Sequence, residues 1–381
     1  MRTCTWKFAF LLGIACFTIT AFIYGHYDLD FIHSGDRVIL GRPLKVTGSS
    51  LPPLEENGKN TTAPSEDEWA RPCSLREVAQ RDPVLGQVFN FSVPVLQWAG
   101  LLNPQEWQRL QQDPGPYGWK GLAWDVVNST LALLSEPRDG QLFERGEQRG
   151  CVRCAVVGNG GILKGSRQGK AIDAHQFVFR VNGAVTKGFE EDVGTKTSFY
   201  GFTANTLKNS LAAYRAVGFT RVPQGQGVHY IFIPANTRDY LLLSAAIRGI
   251  PVPSDHDKGD VPSKYFGQKS SVDKFKMLHP DFVRYIKERF LKSPLLRKKY
   301  SHLYMPSTGA LILFTALHTC DQVSAYGFIT DNYGAFSDHY FDRVKKPLIF
   351  YVNHDMQMEG RVWEQLHTQK VMWLYKRPLG A

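Results

Sequence analysis

The sequence predicts an α/β protein with a Rossmann-like parallel sheet flanked by helices, and three observations support this. Short apolar segments recur beyond residue 150, segments with helical periodicity lie between them, and glycine or polar residues follow several of the apolar ones. The strands are predicted at 155–157, 176–181, 197–202, 229–234, 323–328 and 347–352. The helices are predicted at 124–134, 238–248, 281–292, 310–319 and 359–367. A composition of 43% hydrophobic and 21% charged residues over 381 residues fits one large domain with additional segments.

A glycine-rich turn follows the first predicted strand. Residues 154–161 read Cys-Ala-Val-Val-Gly-Asn-Gly-Gly, and such glycines let the backbone turn tightly and approach a ligand. A dinucleotide fingerprint would need a glycine at Leu163 and an acidic residue after the second strand, where Arg180 and Asn182 stand. We therefore exclude a nicotinamide cofactor. Asn159 and Asn182 either contact the cytosine or ribose of a nucleotide or close their own loops.

The segment Pro306-Ser-Thr-Gly309 precedes the predicted helix 310–319. Ser307 or Thr308 is expected to cap this helix, and its free N–H groups would attract a phosphate or a carboxylate. An ordinary helix cap without a ligand is the alternative.

Two histidines flank the last predicted strand. His339 lies in polar loop sequence before it, and His354 follows it, five residues ahead of Glu359. A neutral imidazole can accept a hydroxyl proton near neutral pH, although histidines at such positions are also common as structural residues. Glu359 is predicted to open the helix 359–367, where a carboxylate stabilises the N-terminus.

Two Asp-x-Asp motifs could indicate a divalent metal, at residues 28–30 and 255–257. The first lies next to the N-terminal apolar segment and the second in a long polar loop, well after a predicted strand. We therefore predict no metal. That loop, 251–274, is long enough to be a lid over a ligand or to be disordered. The aromatic residues at 117–119 are interpreted as packing residues, with a sugar platform as the alternative.

The N-terminus predicts a membrane anchor. Residues 8–24 form an uncharged apolar run preceded by Arg2 and Lys7, which indicates a cytoplasmic tail at 1–7 and a luminal remainder. A cleaved signal peptide is the alternative, but no A-x-A site follows. Residues 25–72 have the composition of a flexible stem, and 73–381 form the predicted catalytic domain. The sequons at Asn60, Asn90 and Asn128 could be N-glycosylated in a secretory compartment.

Four cysteines lie beyond the stem, at Cys73, Cys151, Cys154 and Cys320. In an oxidising lumen they predict two structural disulfides, whereas the Cys-x-x-Cys spacing at 151–154 leaves a redox pair as the alternative. The net charge of +10 predicts an anionic partner, although the sequence shows no arginine-rich arm or nucleic-acid module. A nucleotide-sugar is anionic enough to be this partner.

Four segments resemble the sialyl motifs of the eukaryotic sialyltransferases, and they occur in the family's order. Residues 154–202 resemble the large motif and residues 306–328 the small motif. His339-Tyr-Phe-Asp342 resembles the third motif, and His354 with Glu359 fits the very small H-x₄-E motif. Residues 116–119, 194–202 and 320–330 are similar to the GalNAc α2,6-sialyltransferases that act on O-glycans. The short stem is similar to that of a short-stemmed member of this group.

The resemblance implies a variant GT-A fold in a single-pass type II Golgi membrane protein with a luminal catalytic domain. It implies inverting transfer of sialic acid from CMP-sialic acid to the 6-hydroxyl of GalNAc linked to Ser or Thr of glycoproteins, without a metal cofactor. By motif position, Asn159 and Asn182 would contact CMP, and Ser307, Thr308 and Gly309 would contact the sialic acid and phosphate region.

In the same resemblance, His339 would contact the departing phosphate and His354 would be the general base. The family's bridge between the large and small motifs maps onto Cys154 and Cys320, which leaves Cys73 to pair with Cys151. Two alternatives stay open: a sialyltransferase of another acceptor linkage, and a catalytically silent Golgi protein that binds CMP-sialic acid or glycans. The preferred acceptor core and the oligomeric state do not follow from the sequence.

Overall fold

The computed structural model describes residues 73–143, 150–268, 271–297, 301–351 and 353–378. Within these ranges, no helix is both long and apolar enough to cross a membrane. The predicted tail, anchor and stem, the sequon at Asn60 and the acidic motif at 28–30 lie outside the described residues.

Seven strands form one parallel sheet in the order β5-β4-β3-β2-β1-β6-β7. The strands are β1 (Arg153–Val157), β2 (Phe177–Val181), β3 (Phe199–Phe202), β4 (His229–Phe232), β5 (Phe275–Met277), β6 (Gln322–Tyr326) and β7 (Trp373–Leu374). After β5 the chain returns to the other side of β1, so the strand order reverses there. In parallel sheets of this kind, ligands bind beyond the carboxyl ends of the strands at such a reversal.

Five of the predicted strands are confirmed, as β1 to β4 and β6. The predicted strand at 347–352 is wrong, because its described residues, 347–351, form no strand. The edge of the sheet beside β6 is occupied instead by β7, which pairs with Ser324 and Ala325. The prediction missed β5 and β7, which are three and two residues long and carry too little sequence to show a period.

The α-helices of the described residues lie mostly between the strands. They are α1 (Leu75–Arg81), α2 (Leu85–Val88), α3 (Pro104–Leu110), α4 (Trp124–Leu131), α5 (Gly169–Asp173), α6 (Glu190–Val193), α7 (Ala204–Ala213), α8 (Thr237–Arg248), α9 (Ser263–Phe266), α10 (Pro280–Arg289), α11 (Thr308–Thr319) and α12 (Met356–Thr368). The five predicted helices correspond to α4, α8, α10, α11 and α12. The start of α12 was predicted wrongly, because Asp355 caps the helix by accepting a hydrogen bond from Met358 N at 3.0 Å, which places Glu359 in its first turn.

Hydrophobic residues cover both faces of the sheet. On β1, Cys154 and Val156 belong to one core layer, and Ala155 and Val157 belong to the other, as the two-residue period of a strand requires. Helix α11 packs against β1, β2, β3 and β6 on the first face and is buried continuously from Ala310 to His318. A helix that is apolar on all sides must be enclosed, so α11 is fixed at the centre of the molecule.

Two disulfides join distant segments. Cys154 of β1 is bonded to Cys320, which follows α11, and Cys73 is bonded to Cys151. Because the two cysteines of the Cys-x-x-Cys segment belong to different bridges, they are not a redox pair. The pairing is the one that the resemblance implies.

Other predictions concern the surface and the aromatic residues. The sequon asparagines Asn90 and Asn128 are both exposed. Trp119 is buried, stacks on Trp107 with ring centroids 5.5 Å apart, and donates its indole N–H to the Tyr240 hydroxyl at 2.8 Å. The aromatic residues at 117–119 therefore serve packing.

Candidate active site

A cavity of about 330 Å³ opens at the carboxyl ends of β1, β2 and β6, where the strand order reverses. The loops after these strands, the N-terminus of α11, the first turns of α12 and the segment between β6 and α12 line it. Its walls include residues 158–162, 181–182, 307–309, 327–330, 336–339 and 348–349, together with Thr206, Tyr214, Tyr333, Tyr351, His354, Met356, Glu359 and Trp363.

The glycine turn after β1 forms the floor of the cavity by close backbone contact. A Cβ atom on Gly158 or Gly160 would lie 2.7 or 2.6 Å from the carbonyl oxygen of Gly327, which is closer than real contacts allow. A Cβ on Gly161 would collide with the carbonyl oxygen of Ser337, which accepts a hydrogen bond from Gly161 N at 3.2 Å. The glycines thus allow three loops to meet beneath the cavity.

The two predicted asparagines lie side by side on the loops after β1 and β2. Asn159 donates its amide N–H to the carbonyl of Val181 at 3.2 Å, which ties the two loops together. Asn182 adopts a left-handed backbone with φ of 51°, and its carbonyl accepts from Tyr200 Oη at 2.5 Å. The side-chain oxygen of Asn182 is buried and has no hydrogen-bond partner within the described residues. A buried acceptor of this kind indicates a donor supplied by a ligand or by water.

Ser307 caps α11, as the sequence predicts. Its hydroxyl accepts from Ala310 N at 3.0 Å and donates to Glu359 Oε2 at 2.7 Å, while its backbone N–H donates to Glu359 Oε1 at 2.8 Å. Glu359 is 1% exposed, and burial raises its pKa to about 7 although both Ser307 bonds lower it. Glu359 therefore positions the first turn of α11, where Thr308 and Gly309 also line the cavity.

His339 lies in the wall of the cavity among aromatic and acidic groups. Its ring stacks on Phe341 with centroids 4.9 Å apart, and its Nε2 is 3.3 Å from the Tyr214 hydroxyl. Its Nδ1 is 3.3 Å from Asp338 Oδ2, and its backbone N–H donates to Asp342 at 2.8 Å. Burial is the main cause that raises the pKa of Asp338, and the nearby charge of Asp342 raises it further.

His354 is held by the main chain in one tautomer. Its Nδ1 is 2.8 Å from the carbonyl oxygen of Met305, which can only accept, so Nδ1 carries the proton and Nε2 is left as the acceptor nitrogen. Burial lowers the pKa of the imidazole, and the hydrogen bond to Met305 opposes this in part. The ring is therefore neutral near pH 7. In this tautomer the side-chain N–H of Asn353 donates to Nε2 at 3.2 Å.

The family of the chain follows from a comparison with known proteins. Residues 96–371 match glycosyltransferase family 29 (sialyltransferase). The chain belongs to this sialyltransferase family.

Curated sialyltransferases are similar over most of the chain. Alpha-N-acetylgalactosaminide alpha-2,6-sialyltransferase 2 of Mus musculus is 59% identical over 82% of this chain and 85% of its own length. The protein of the same name from Homo sapiens is 60% identical over 80% of this chain and 82% of its own length. Alpha-N-acetylgalactosaminide alpha-2,6-sialyltransferase 1 of Mus musculus is 43% identical over 80% of this chain and 59% of its own length.

Solved structures agree with the family. The crystal structure of a mammalian sialyltransferase superposes with a TM-score of 0.58 and 28% identity, covering 81% of this chain and 98% of that one. A second crystal structure, of a mammalian sialyltransferase in complex with Gal-beta-1-3GalNAc-ortho-nitrophenol, gives a TM-score of 0.57 at the same identity and coverage.

The cavity thus brings together the residues that the four sialyl motifs contribute. The residues predicted as donor-binding or catalytic all line it: Asn159, Asn182, Ser307, Thr308, Gly309, His339 and His354. The sequence analysis missed four residues of the lining, which lie outside the four motif segments and belong to no local pattern that indicates a site: Thr206, Tyr214, Tyr333 and Trp363. It also missed Asp338, although this residue directly precedes His339 in the third motif.

Two other predictions concern the long loop and the metal. No described residue of the loop 251–274 lines the cavity, so it is not a lid in this structure. Asp257 in that loop accepts two hydrogen bonds from Arg238, at 2.9 and 3.1 Å. Among the described residues, no group of three or more His, Cys, Asp or Glu side chains is arranged to hold a metal ion.

Proposed function

We propose that this sialyltransferase transfers sialic acid from CMP-sialic acid to the 6-hydroxyl of GalNAc that is O-linked to Ser or Thr of glycoproteins, with inversion at the anomeric carbon. The names of relatives about 60% identical to the chain support this acceptor and linkage. Family membership supports the donor.

The observation that carries the proposal is the state of His354. A neutral imidazole with Nδ1 bonded to a main-chain carbonyl has a basic Nε2, and the acceptor hydroxyl would replace the Asn353 N–H that donates to it at 3.2 Å. The oxygen of the GalNAc 6-hydroxyl attacks the anomeric carbon of sialic acid while the bond from that carbon to the phosphate oxygen of CMP breaks. Nε2 of His354 takes the hydroxyl proton, so the acceptor oxygen attacks with increased negative charge.

The asparagines and the start of α11 are suited to hold the donor. The buried, unpaired oxygen of Asn182 is placed to accept a hydrogen bond from the cytosine amine or a ribose hydroxyl, and Asn159 stands beside it on the neighbouring loop. Ser307, Thr308 and Gly309 at the N-terminus of α11 offer hydroxyl and N–H donors, together with the helix dipole, to the carboxylate or phosphate of the donor.

His339 and Tyr214 are suited to the departing phosphate. Negative charge grows on CMP as the bond to sialic acid breaks, and preorganised donors lower the free energy of that state. The Tyr214 hydroxyl and His339 Nε2 lie 3.3 Å apart in the cavity wall, where either can donate to a phosphate oxygen. We propose that these groups and α11 stabilise CMP without a resident metal.

The cellular arrangement is part of the same proposal. Residues 1–7 form a cytoplasmic tail, 8–24 a transmembrane anchor, 25–72 a luminal stem and 73–381 a catalytic domain of the variant GT-A type in the Golgi lumen. The apolar run at 8–24, the two disulfides, and the exposure of Asn90 and Asn128 support this topology, with N-glycans at these asparagines and at Asn60.

The test is transfer from CMP-sialic acid to a desialylated mucin-type glycopeptide by a soluble fragment that starts near Asn60, with and without EDTA. We expect EDTA-resistant product with sialic acid 6-linked to GalNAc by mass spectrometry and linkage analysis. His354→Ala should lose at least about a hundredfold in kcat while still binding CMP. His256→Ala is the matched control, because His256 is exposed and does not line the cavity.

Each alternative has its own outcome in this experiment. A product of another linkage would replace the acceptor assignment, and CMP binding without turnover would indicate the catalytically silent protein. Full activity of His354→Ala would remove the proposed base.

A further inference from the structure

One peptide unit beside the cavity, between Tyr304 and Met305, is hydrogen-bonded at both ends. Its carbonyl oxygen, on Tyr304, accepts from the hydroxyl of Tyr117 at 2.8 Å. Its N–H, on Met305, donates to the carbonyl oxygen of Asn353 at 3.0 Å. The next carbonyl along the chain, that of Met305, is the one that holds His354 Nδ1 at 2.8 Å.

Proline restricts how this segment can turn. Met305 precedes Pro306, and a residue before proline is confined to extended backbone with ψ of about +120 to +160°. Because rotation between the two peptide units is restricted, the orientation of the Tyr304–Met305 unit determines where the Met305 carbonyl points. A hydrogen bond to the first carbonyl therefore acts on the second, and through it on His354.

Tyr117 is itself fixed as a hydrogen-bond donor. It is 9% exposed, and the ammonium group of Lys287 lies 3.8 Å from the centre of its ring. Burial raises the pKa of its hydroxyl above the ordinary value, so it stays protonated and donates. Tyr304 is also anchored, because its own hydroxyl donates to the carbonyl of Leu291 at 3.0 Å.

We propose that Tyr117, which lies outside the four sialyl motifs and does not line the cavity, is a positioning residue for His354. Its hydroxyl orients the peptide segment whose Met305 carbonyl holds the imidazole in the Nδ1-protonated form, which keeps Nε2 basic. This inference rests on the proposed role of His354 as the base.

The test compares Tyr117→Phe with Tyr230→Phe in the full-length enzyme. Tyr230 is buried, and its hydroxyl donates to the main-chain carbonyl of Pro223 at a distance of 3.0 Å. Neither residue lines the cavity. Each variant therefore loses one hydrogen bond from a tyrosine hydroxyl to a main-chain carbonyl. Tyr117→Phe keeps the ring and its contact with Lys287. We expect its kcat to fall about tenfold, with the KM for CMP-sialic acid unchanged, because the donor site is intact.

The pH profile separates positioning from simple destabilisation. The hydrogen bond to Met305 raises the pKa of His354, so weakening it lowers that pKa, and the acid limb of kcat/KM should move to lower pH in Tyr117→Phe. Tyr230→Phe should keep the wild-type limb and the wild-type kcat. A Tyr117→Phe enzyme with wild-type kcat and pH profile, or the same change in both variants, would overturn the proposal.

Nitrogen-15 NMR of the His354 ring gives a readout that does not depend on activity. The wild-type protein should show Nδ1 protonated, and Tyr117→Phe should show a mixture of the two tautomers. A wild-type ring protonated at Nε2 overturns the proposal even if the variant does not fold. Absence of sialyl transfer by the wild type counts against the proposed function, whereas an active wild type with an unaffected variant counts against the positioning role alone.

Discussion

Glu359 is a buried carboxylic group whose two oxygens both accept hydrogen bonds from Ser307. Its burial opposes ionisation and raises its pKa to about 7, while the two Ser307 donors favour the charged form. The sequence motif places a glutamate five residues after His354, but its contact with the cap of another helix is a property of the fold. The residue thus links α12 to the N-terminus of α11, where the donor is proposed to bind.

Removing this carboxylate should weaken donor binding. In Glu359→Ala the N–H and hydroxyl of Ser307 lose their acceptor, so α12 no longer holds the first turn of α11 in place and we expect CMP affinity to fall about tenfold. Glu359→Gln keeps one acceptor and should lose less. Titration calorimetry with CMP measures both effects.

Glu364→Ala is the control on the same helix, because the Glu364 carboxylate pairs with Lys376 at 2.6 Å and does not line the cavity. Wild-type CMP affinity in Glu359→Ala would show that Ser307 needs no support from α12.

The sequence identified the site residues better than their partners. Asn159 and Ser307 could be named because they stand at a strand end and a helix start in local sequence. His339 and His354 were located beside a predicted strand that does not form, so their identification depended on the motif resemblance. The Met305 carbonyl and the Tyr214 hydroxyl could not be named. The first is a main-chain atom and the second comes from the end of a distant helix, so only tertiary packing places them beside the histidines.

At the scale of elements, the floor of the cavity depends on glycines that let loops approach. The turn after β1 touches the loop after β6 and the segment at Ser337, and these contacts leave no room for a Cβ at Gly161. The sequence indicated a tight turn and close approach to a ligand, but not this contact between loops.

Gly161→Ala should therefore separate the loops that form the cavity. We expect a loss of CMP affinity of at least about tenfold and a lower melting temperature, because overpacking of this kind typically costs about 1–3 kcal/mol. Calorimetry and a thermal melt measure the two quantities.

Gly227→Ala is the matched control, since a Cβ at Gly227 meets nothing within 4 Å and its φ is not in the left-handed region. Equal effects of the two substitutions would mean that the contact with Ser337 is unimportant.

The prediction of a strand at 347–352 failed because another segment pairs with that edge of the sheet. Residues 347–352 have an apolar pattern suited to a strand, but β7 takes the position beside β6. Phe350 and Tyr351 remain 42% and 51% exposed, and Tyr351 lines the cavity. Competition between two segments for one edge is invisible in local sequence. The interior helices were predictable because their caps and periodicity are local, as at Ser307 for α11.

At the scale of the whole molecule, buried acids and buried histidines give opposite pH dependences of stability. Burial lowers the pKa of His279 and His318 to about 4, so the unfolded chain binds more protons below pH 6.5, and their contribution to stability is lost as the pH falls towards 4. Burial raises the pKa of Asp239 and Glu359 to about 7, so their contribution is present at low pH and lost as the pH rises towards 7.

Substitutions should separate these two effects. His318→Phe removes one group that takes up a proton more readily in the unfolded chain. When the pH is lowered from 7 to 4.5, the free energy of unfolding of this variant should therefore fall less than that of the wild type. The free energy of unfolding of Asp239→Asn should fall more than that of the wild type, because this substitution removes a group that favours the folded state at low pH. Urea unfolding at the two pH values gives both differences, and a shift of the same sign in both variants would contradict this assignment.

The strand order has a consequence for how the enzyme is made. The central strand β1 needs β6 as its neighbour and Cys154 needs Cys320, which lies 166 residues later in the chain. His339, His354 and Glu359 come later still. When β1 to β5 have been synthesised, the growing polypeptide therefore contains only part of the cavity lining. The glycine turn then lacks its contacts with the loop after β6, and Cys154 lacks its disulfide partner. Activity must await synthesis of the last segment, so a prematurely terminated chain would be an exposed, oxidisable folding intermediate rather than a weaker enzyme.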